Sequence, residues 1–320
     1  MLTAIICTYN REKYIGPLLE ALAANDLPKS EYEILLVDNN CADNTRGVCE
    51  TFHREHPDVQ FRYTVESEQG LSAARNRGIR EAKGDCIVYV DDDAYVEPSY
   101  LRIYADYFAQ HPEVMALGGP IRPLLEMNGD PALTIAEFKR GHTLAEPAWM
   151  TSYTRALLCA WMDYGNQVRE YPHGRYPGGG NSAYRIEVFK KVGFYNTELG
   201  RKGGNLMGSE EKDIFDKMHA QGMPVRYLPE PVLHHIIPEQ KLQQPYFDRL
   251  TRQMGISERK RTLAISRTKY MKRLFAEAIK WGGTLVLLCL YTLQLHPAKG
   301  WKLVLFRKNV TAGLLALIKE

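Results

Sequence analysis

Three consecutive aspartates, residues 91–93, directly follow the apolar run of residues 87–90. Adjacent carboxylates repel one another, so holding them at the end of a buried strand is unfavourable unless a cation lies beside them. Mg²⁺ and Mn²⁺ meet this need, because they bind one or two carboxylates together with phosphate oxygens. Strand alternation predicts that Asp91 and Asp93 face one way and Asp92 the other. The segment predicts a divalent-metal site for a nucleoside diphosphate; the simpler alternative is a solvated acidic turn.

The elements that must position these acids alternate between strand and helix signals through the first hundred residues. This alternation predicts an α/β fold with a doubly wound, mostly parallel sheet. Ligands bind such sheets beyond the carboxyl ends of the strands. Three polar clusters, residues 8–11, 38–40 and 91–93, follow predicted strands and should share that edge. The predicted strands are residues 4–7, 33–37, 60–64 and 86–90, and the predicted helices are residues 14–24, 43–55 and 71–82.

Signals are weaker further along the chain, and residues 123–172 show no assignable pattern. Residues 115–119 predict a strand with a turn, and residues 225–228 and 232–235 are short apolar segments. Further helices are predicted over residues 98–110, 186–192, 208–221, 246–256 and 301–318.

The composition is typical of a folded globular protein, with 45% hydrophobic and 25% charged residues in a chain of 320. Six scattered cysteines form no Cys-x-x-Cys pair. This pattern argues against a structural zinc site and a disulfide framework, and it favours a reducing compartment. No signal peptide precedes the first predicted strand, so we expect a cytoplasmic protein.

Charge is unevenly distributed along the chain. Residues 249–320 carry 15 Lys and Arg against 3 Glu, a net charge of +12, whereas the remaining residues carry −9. The apolar run of residues 281–295 would span about 22 Å as a helix, less than the ~30 Å hydrocarbon core. We therefore predict an α/β domain over residues 1–240 and a helical tail over residues 241–320. The tail fits interfacial helices, a short re-entrant hairpin, or a docking surface for a protein or second copy, and a membrane is favoured over nucleic acid.

Four motifs occur in order along residues 1–240. Residues 7–11 read Cys-Thr-Tyr-Asn-Arg, residues 37–45 begin Val-Asp-Asn-Asn, residues 70–78 match Gly-x-x-x-Ala-Arg-Asn-x-Gly, and residues 91–93 contain Asp-x-Asp. Together they resemble the motifs of the family 2 glycosyltransferases, which are inverting enzymes. The resemblance implies a GT-A fold, with a Rossmann-like nucleotide-binding half and an acceptor-binding half. It also implies an enzyme of the type that builds bacterial cell-surface polysaccharides.

The resemblance implies which residues bind the donor. Asp38 would accept hydrogen bonds from the base or ribose, although a turn or helix-cap aspartate is the alternative. Arg75 and Asn76 would face the site, where Arg75 pairs with the pyrophosphate or the metal-binding acids, unless both residues are only structural support. The implied donor-binding residues are Thr8, Tyr9, Asn10, Arg11, Asp38, Arg75, Asn76, Asp91, Asp92, Gly179, Gly180 and Asn181.

The resemblance also implies metal ligands. Asp93 would be the direct ligand and Asp91 would lie nearer the ribose, and His234 or His235 would complete the site. The alternative for this histidine pair is an ordinary core or surface position. The glycine-rich residues 178–181 would shape the donor and acceptor pocket, because glycine lets the backbone approach a ligand closely. Their alternative is a flexible turn.

An inverting enzyme needs a base, and the resemblance implies Glu211. The family usually has aspartate at this position, and Asp213 is the competing candidate. We expect crowding by Glu210 and by the diphosphate to raise the pKa of Glu211 toward neutrality. The alternative is an acidic helix N-terminus that merely favours the helix dipole.

These residues imply a metal-dependent inverting glycosyltransferase with Mn²⁺ or Mg²⁺. It would move a sugar from a nucleoside diphosphate, with UDP favoured, to a lipid-linked or polysaccharide hydroxyl on the inner face of the plasma membrane. A homo-oligomer stays open, and no nucleic acid is expected as a partner. One alternative is a catalytically silent nucleotide-sugar-binding scaffold. A sugar nucleotidyltransferase is disfavoured, because no Gly-rich basic loop follows the first strand.

Overall fold

The computed structural model describes residues 1–171, 174–202 and 210–315. The chain divides into two compact units. The first unit comprises Met1–Leu144 and Cys159–Ile237, and the second comprises Ala145–Leu158 and Pro238–Glu320. The second unit thus resumes at Pro238, close to the division predicted at residue 240, but it also takes in a segment from the middle of the chain.

The first unit alternates strands and helices. Its strands are β1 (Leu2–Thr8), β2 (Tyr32–Asp38), β3 (Phe61–Val65), β4 (Cys86–Asp91), β5 (Ala94–Val96), β6 (Ala116–Gly118), β7 (Ile121–Leu125), β8 (Arg169–Glu170), β9 (Asn181–Arg185), β10 (Val225–Tyr227) and β11 (Leu233–Ile237). Its helices are α1 (Glu12–Ala23), α2 (Thr45–Glu55), α3 (Leu71–Glu81), α4 (Tyr100–Gln110), α5 (Pro131–Lys139), α7 (Glu187–Val192) and α8 (Glu210–Ala220), and α6 (Ser152–Cys159) ends in this unit.

The main sheet has the strand order β3-β2-β1-β4-β9-β6-β10-β8. Strands β3, β2, β1 and β4 run parallel, and β9 is antiparallel to β4 and β6. Helices α1, α2 and α4 pack on one face, and α3, α7 and α8 on the other. The side chains of β1 alternate between the two cores, with Ile5 on one side and Ala4 and Ile6 on the other. The predicted α/β fold with a mostly parallel sheet is confirmed.

Register explains why the polar clusters meet at one edge. Thr8, the last residue of β1, pairs with Asp38, the last residue of β2. The preceding residue, Cys7, pairs with Asp91, the last residue of β4. On the far side of β4, Val90 pairs with Asn181, which places the glycines before β9 next to Asp91. Parallel strands with aligned carboxyl ends therefore bring chain segments far apart in sequence to one place.

A smaller sheet, with the order β5-β11-β7, completes this edge. His235 on β11 pairs with Ala94 on β5, which directly follows the aspartates. The sequence did not reveal β5, because three residues give too short a pattern. Within the unassigned residues 123–172 the structure has the end of β7, helices α5 and α6, and strand β8.

The described part of the second unit is helical beyond Pro238. A short 3₁₀ helix (Glu239–Leu242) precedes α9 (Gln244–Ile265), α10 (Arg267–Leu293) and α11 (Pro297–Leu315). The apolar run of residues 281–295 is thus mostly the second half of a 27-residue helix whose first half is amphipathic. The helix predicted over residues 301–318 corresponds to α11, and residues 316–318 lie outside the described residues. Among the residues described, one helix, α10, is long and apolar enough to cross a membrane by length and composition.

Candidate active site

The three aspartates do not form one continuous strand. Strand β4 ends at Asp91, and Asp92 and Asp93 lie in the turn that leads into β5. The strand alternation expected for the three side chains therefore does not extend to Asp92 and Asp93. Asp93 is buried, with 5% of its surface exposed, while Asp91 and Asp92 are half-buried.

Asp93 and His235 form the clearest candidate for a metal site. His235 Nε2 lies 3.1 Å from Asp93 Oδ1, and Arg11 Nη2 lies 3.8 Å from Asp93 Oδ2. His235 Nδ1 lies 3.1 Å from the carbonyl oxygen of Cys159, and a nitrogen facing a carbonyl must carry the hydrogen. Nε2 then meets the carboxylate either as the second N–H of an imidazolium or as a lone pair that shares a cation with Asp93.

The surrounding charges also fit a cation. Burial and the neighbouring charge of Asp93 raise the pKa of Asp92 to about 7, although Arg11 acts in the opposite direction. Among residues 1–171, 174–202 and 210–315, no three His, Cys, Asp or Glu side chains form a metal-holding group by themselves. This donor set suits Mg²⁺ or Mn²⁺, which take further oxygens from water and phosphate.

His234 lies in a different environment from His235. Its ring packs 4.5 Å from that of Phe138 and 5.9 Å from that of Tyr95, measured between centroids. Burial, together with the charge of Arg122, lowers the pKa of His234 to about 4, so the ring is neutral. Neighbouring strand residues face opposite ways, so β11 directs only His235 of the pair at Asp93.

The ends of β1 and β2 form a second polar cluster. Asp38 is buried; its Oδ1 accepts a hydrogen bond from the Cys41 backbone N–H (2.7 Å), and Oδ2 accepts one from the Tyr63 hydroxyl. Asn10 has a φ of 55° and accepts a hydrogen bond from the Ala42 N–H at 2.7 Å. Thr8 is buried beside Asp38, and Tyr9 is exposed. These hydrogen bonds hold the loops after β1 and β2 together, and Asp38 stabilises the turn that follows β2.

The glycine turn before β9 lies against two carboxylates. A Cβ atom added to Gly180 would overlap the carboxylate of Asp91, and one added to Gly179 would overlap that of Glu211. The backbone of this turn therefore packs closely against the two carboxylates, and the turn is not a free loop. Asn181 follows the turn. Its side chain is fully buried, and all its hydrogen-bonding capacity is satisfied within the protein. Its Oδ1 accepts from the hydroxyls of Tyr100 and Tyr104, and its Nδ2 donates to the carbonyls of Pro120 and Pro231.

Glu211 and Glu210 share one buried arginine. Arg75 Nη1 lies 3.0 Å from Glu210 Oε1 and 3.0 Å from Glu211 Oε1. Arg75 is 3% exposed, and its guanidinium lies about 5.5 Å from the ring centroids of Tyr89 and Tyr195. Arg75 therefore serves the carboxylates that begin α8. Its neighbour Asn76 exchanges two hydrogen bonds with the backbone of Tyr195, which fixes the same corner.

The two glutamates respond differently to this environment. Burial raises the pKa of Glu210 to about 7, against the attraction of Arg75 and together with the charge of Glu211. Burial alone would also raise the pKa of Glu211, but the attraction of Arg75 and several hydrogen bonds lower it below its ordinary value. The expectation of a raised pKa for Glu211 is thus wrong, and the raised pKa belongs to Glu210. Glu210 is the deeper of the two, and its Oε2 has no hydrogen-bond partner among the residues that the structure describes.

Asp213 lies on the same helix as Glu211 but has a different partner. Lys217 Nζ lies 2.6 Å from Asp213 Oδ2, one helical turn away, and both side chains are partly exposed. Glu211, in contrast, touches the glycine turn and Arg75. This contrast favours Glu211 as the base. The start of the predicted helix at residues 208–209 lies outside the described residues.

Three tyrosines at the site were not predicted from the sequence. Tyr63 donates to Asp38, and Tyr89 and Tyr195 flank Arg75. Tyr89 gave a weak signal, since it is the one hydroxyl in the apolar run before the aspartates. Tyr63 and Tyr195 gave none, because each reaches the site only through the packing of β3 or of the segment after α7.

The sequence model of Glycosyl transferase family 2 matches residues 3–193. The chain belongs to the family 2 glycosyltransferases. It is 26% identical over 221 residues to the glucosyl-dolichyl phosphate glucuronosyltransferase of Haloferax volcanii, covering 68% of this chain and 63% of that protein. It is 32% identical over 109 residues to the poly(ribitol-phosphate) β-N-acetylglucosaminyltransferase TarS of Staphylococcus aureus, covering 34% of this chain and 19% of TarS. The matches therefore span less than two thirds of these relatives.

Solved structures share the fold. The mannosyltransferase PcManGT of Pyrobaculum calidifontis, solved with GDP-Man and Mn²⁺, superposes with a TM-score of 0.60 at 17% identity, covering 99% of this chain and 88% of that one. TarS residues 1–349 with UDP superpose with a TM-score of 0.51 at 17% identity, covering 98% and 91%. The membership of the family 2 glycosyltransferases that the motifs predicted is confirmed by the family model.

Proposed function

We propose that this glycosyltransferase moves a sugar from a UDP-sugar to a hydroxyl acceptor, with a divalent cation and with inversion at the anomeric carbon. The observation that carries the proposal is one continuous edge of the sheet. Along this edge Asp93 and His235 lie at one end, the backbone of Gly179 and Gly180 lies between, and Glu211 lies at the other. The glycines lie against both Asp91 and Glu211, so a donor phosphate held beside the aspartates and an acceptor hydroxyl beside Glu211 would lie within reach of each other.

We assign binding of the diphosphate to the end of the edge that holds Asp93 and His235. Asp93 and His235 Nε2 would hold Mn²⁺ or Mg²⁺, with Asp91 nearer the ribose. Arg11 adds a positive charge on the same side as Asp93. When bound, the cation would neutralise the charge that develops on the diphosphate leaving group.

Glu211 acts at the other end as general base. Its pKa is held below the ordinary value, so the side chain is ionised at neutral pH and accepts the proton of the acceptor hydroxyl. The acceptor oxygen bonds to the anomeric carbon as the bond from that carbon to the diphosphate oxygen breaks. Attack from the face opposite the leaving group inverts the configuration, giving a β-linkage from an α-linked D-hexose donor.

The acceptor class follows from chemistry and from the relatives. The Haloferax relative is named for a dolichyl phosphate-linked acceptor, and TarS for a poly(ribitol-phosphate) one. We extend this class to the present chain as a lipid-linked or polymeric hydroxyl acceptor on the cytoplasmic face of a membrane. The basic, partly apolar second unit supports this placement.

A donor screen tests the proposal. The full chain is incubated with UDP-, GDP- and dTDP-sugars and Mn²⁺ or Mg²⁺, and free nucleoside diphosphate is measured. We expect metal-dependent release from UDP-sugars that Asp93→Ala abolishes. His235→Ala should weaken activation by Mn²⁺, while His234→Ala, its neighbour on the opposite face of β11, serves as the matched control. Folded protein that hydrolyses none of these donors, or that works equally well in EDTA, would contradict the proposal.

A further inference from the structure

Helix α10 of the second unit exposes a row of large apolar side chains. We define the apolar stripe as the large side chains Met271, Phe275, Ile279, Val286, Leu290 and Leu293, which are 48–81% exposed. At 100° per residue these six positions fall within an arc of about 100°, so they form a single row along the helix. The row extends over 23 residues, or about 33 Å. A row of this length on one side of a helix is far more apolar surface than scattered exposed residues provide.

The opposite face of α10 is packed inside the second unit. Glu277 is 2% exposed and pairs with Arg273 at 2.8 Å and with Arg307 of α11 at 3.1 Å. Trp281 donates a hydrogen bond to Thr311 of α11 at 3.0 Å. Helices α9 and α11 both contact α10. These ionic and hydrogen-bonded contacts hold the opposite face of α10 against α11, so the apolar stripe points outward. Leu285 and Leu287 are also exposed, and they lie outside the stripe.

The exposed charged side chains of α10 are all basic. Arg267, Lys269, Lys272 and Lys280 of α10 are exposed, whereas Glu277, its one acid, is buried. An apolar row bordered by bases complements a surface that is apolar inside and anionic outside, which describes a bilayer with anionic headgroups. It does not complement a second copy of itself, because the bases of the two copies would lie close together.

Two further large apolar side chains are exposed after the end of α10. Leu295 has a φ of 61° and is 86% exposed, although glycine or asparagine is the usual residue in this left-handed conformation. Trp301, at the start of α11, is 58% exposed. Tryptophan and leucine beside basic residues are typical of helices that lie at the membrane interface.

We propose that the apolar stripe docks the second unit onto an anionic bilayer as an interfacial surface, with α10 lying along the membrane rather than crossing it. A crossing would place Lys272 or Lys280 and the Glu277 pair within the hydrocarbon, because residues 281–293 span only about 20 Å. The proposed function supplies the purpose of this docking, which is access to a lipid-linked acceptor. The docking itself does not depend on the proposed function.

Vesicle binding by the full chain tests the proposal. The probe is phosphatidylcholine vesicles with or without about 30% phosphatidylglycerol, separated by flotation. We expect binding to the anionic vesicles that is at least about 10-fold tighter than to the neutral ones and that weakens as salt is raised. The double variant Phe275→Glu, Ile279→Glu should lose binding by about 10-fold or more. Phe194→Glu is the matched control, since Phe194 is an exposed phenylalanine of the first unit.

The contrary outcomes are distinct. Wild-type binding by the stripe double variant, with an unchanged melting temperature, would overturn the proposal. Dimers in sedimentation velocity that this variant dissociates, without vesicle binding, would assign the apolar stripe to a second copy. Resistance of the bound protein to an alkaline carbonate wash would overturn the interfacial mode in favour of a spanning helix. Donor hydrolysis in solution is measured separately, so failure of docking and failure of the proposed function are distinguishable.

Discussion

Arg75 illustrates how one buried side chain gives two neighbouring carboxylates different properties. Its guanidinium touches both Glu210 and Glu211, and the two tyrosine rings beside it exclude water. The pKa of the deeper carboxylate, Glu210, is raised to about 7, whereas the pKa of Glu211 is lowered, so at mildly acidic pH the proton lies on Glu210 and Glu211 is ionised. Two ionised glutamates beside one buried arginine repel each other. The proton therefore lies on the glutamate whose charged form is the less well solvated.

Glu211→Gln tests the base at residue scale. The amide preserves the size and one acceptor oxygen but cannot take a proton. We expect turnover to fall by about 10²–10⁴-fold while donor affinity stays within a few fold, measured by steady-state kinetics and donor titration. Asp213→Asn on the same helix is the control and should change turnover little, because its partner is the partly exposed Lys217. Full turnover by Glu211→Gln would remove Glu211 from the mechanism.

Glu210→Gln tests the buried proton. Between the ordinary pKa of 4.5 and about 7, the folded protein holds a proton on Glu210 that the unfolded chain has released. The free energy of unfolding should therefore fall as pH rises through this window, by up to about 3 kcal/mol from this group. Denaturant unfolding at a series of pH values should show a shallower decline in Glu210→Gln than in the wild type. Parallel curves for the two proteins would contradict the assignment.

At the scale of elements, the antiparallel strand β9 brings the two ends of the candidate site together. It inserts beside β4 and carries the glycine turn against Asp91 and Glu211, while Asn181 ties it to α4 and to the loops after β6 and β10. The turn is thus fixed by a buried side chain with four hydrogen bonds. A buried amide of this kind is costly to lose and positions its neighbours closely.

Gly180→Ala tests this close approach. The new methyl group would overlap the Asp91 carboxylate, so the turn or β4 must move. We expect a loss of about 1–3 kcal/mol in stability and a fall of roughly 10²-fold in kcat/KM, because small displacements at a site are amplified. Gly283→Ala in α10, where an added Cβ meets nothing within 4 Å, is the control. Its stability should be unchanged or slightly higher, and equal activity in both variants would contradict the close approach.

At the scale of the whole molecule, the candidate active site and the excess of positive charge belong to different parts of the chain. The candidate active site lies within the first unit, and the net charge of +12 over residues 249–320 lies within the second. Binding to the folded state alone raises apparent stability by mass action. Donor and metal should therefore stabilise the first unit, which is where their ligands lie.

Thermal unfolding provides the corresponding measurement. A UDP-sugar with Mn²⁺ at 100 times its dissociation constant should stabilise the protein by about 2.7 kcal/mol, or roughly 5–10 °C. EDTA should remove most of this shift, and Asp93→Ala should show little of it at any metal concentration. A shift that persists in EDTA would mean that the nucleotide binds without the cation.

The α/β alternation, the polar residues at the strand ends and the family could all be predicted from the amino-acid sequence. Hydrophobic period and short motifs are local properties, and strands that run parallel bring their carboxyl ends to one edge whatever follows them. Asp91 and Asp93 could be named for this reason, whereas Glu211 was named only through the resemblance to the family. Three features became clear only from the folded chain: which histidine faces Asp93, which carboxylates share Arg75, and that the side chain of Asn181 makes all its hydrogen bonds inside the protein. These depend on the register of β9 and β11 and on burial, which arise from contacts between residues far apart in the chain.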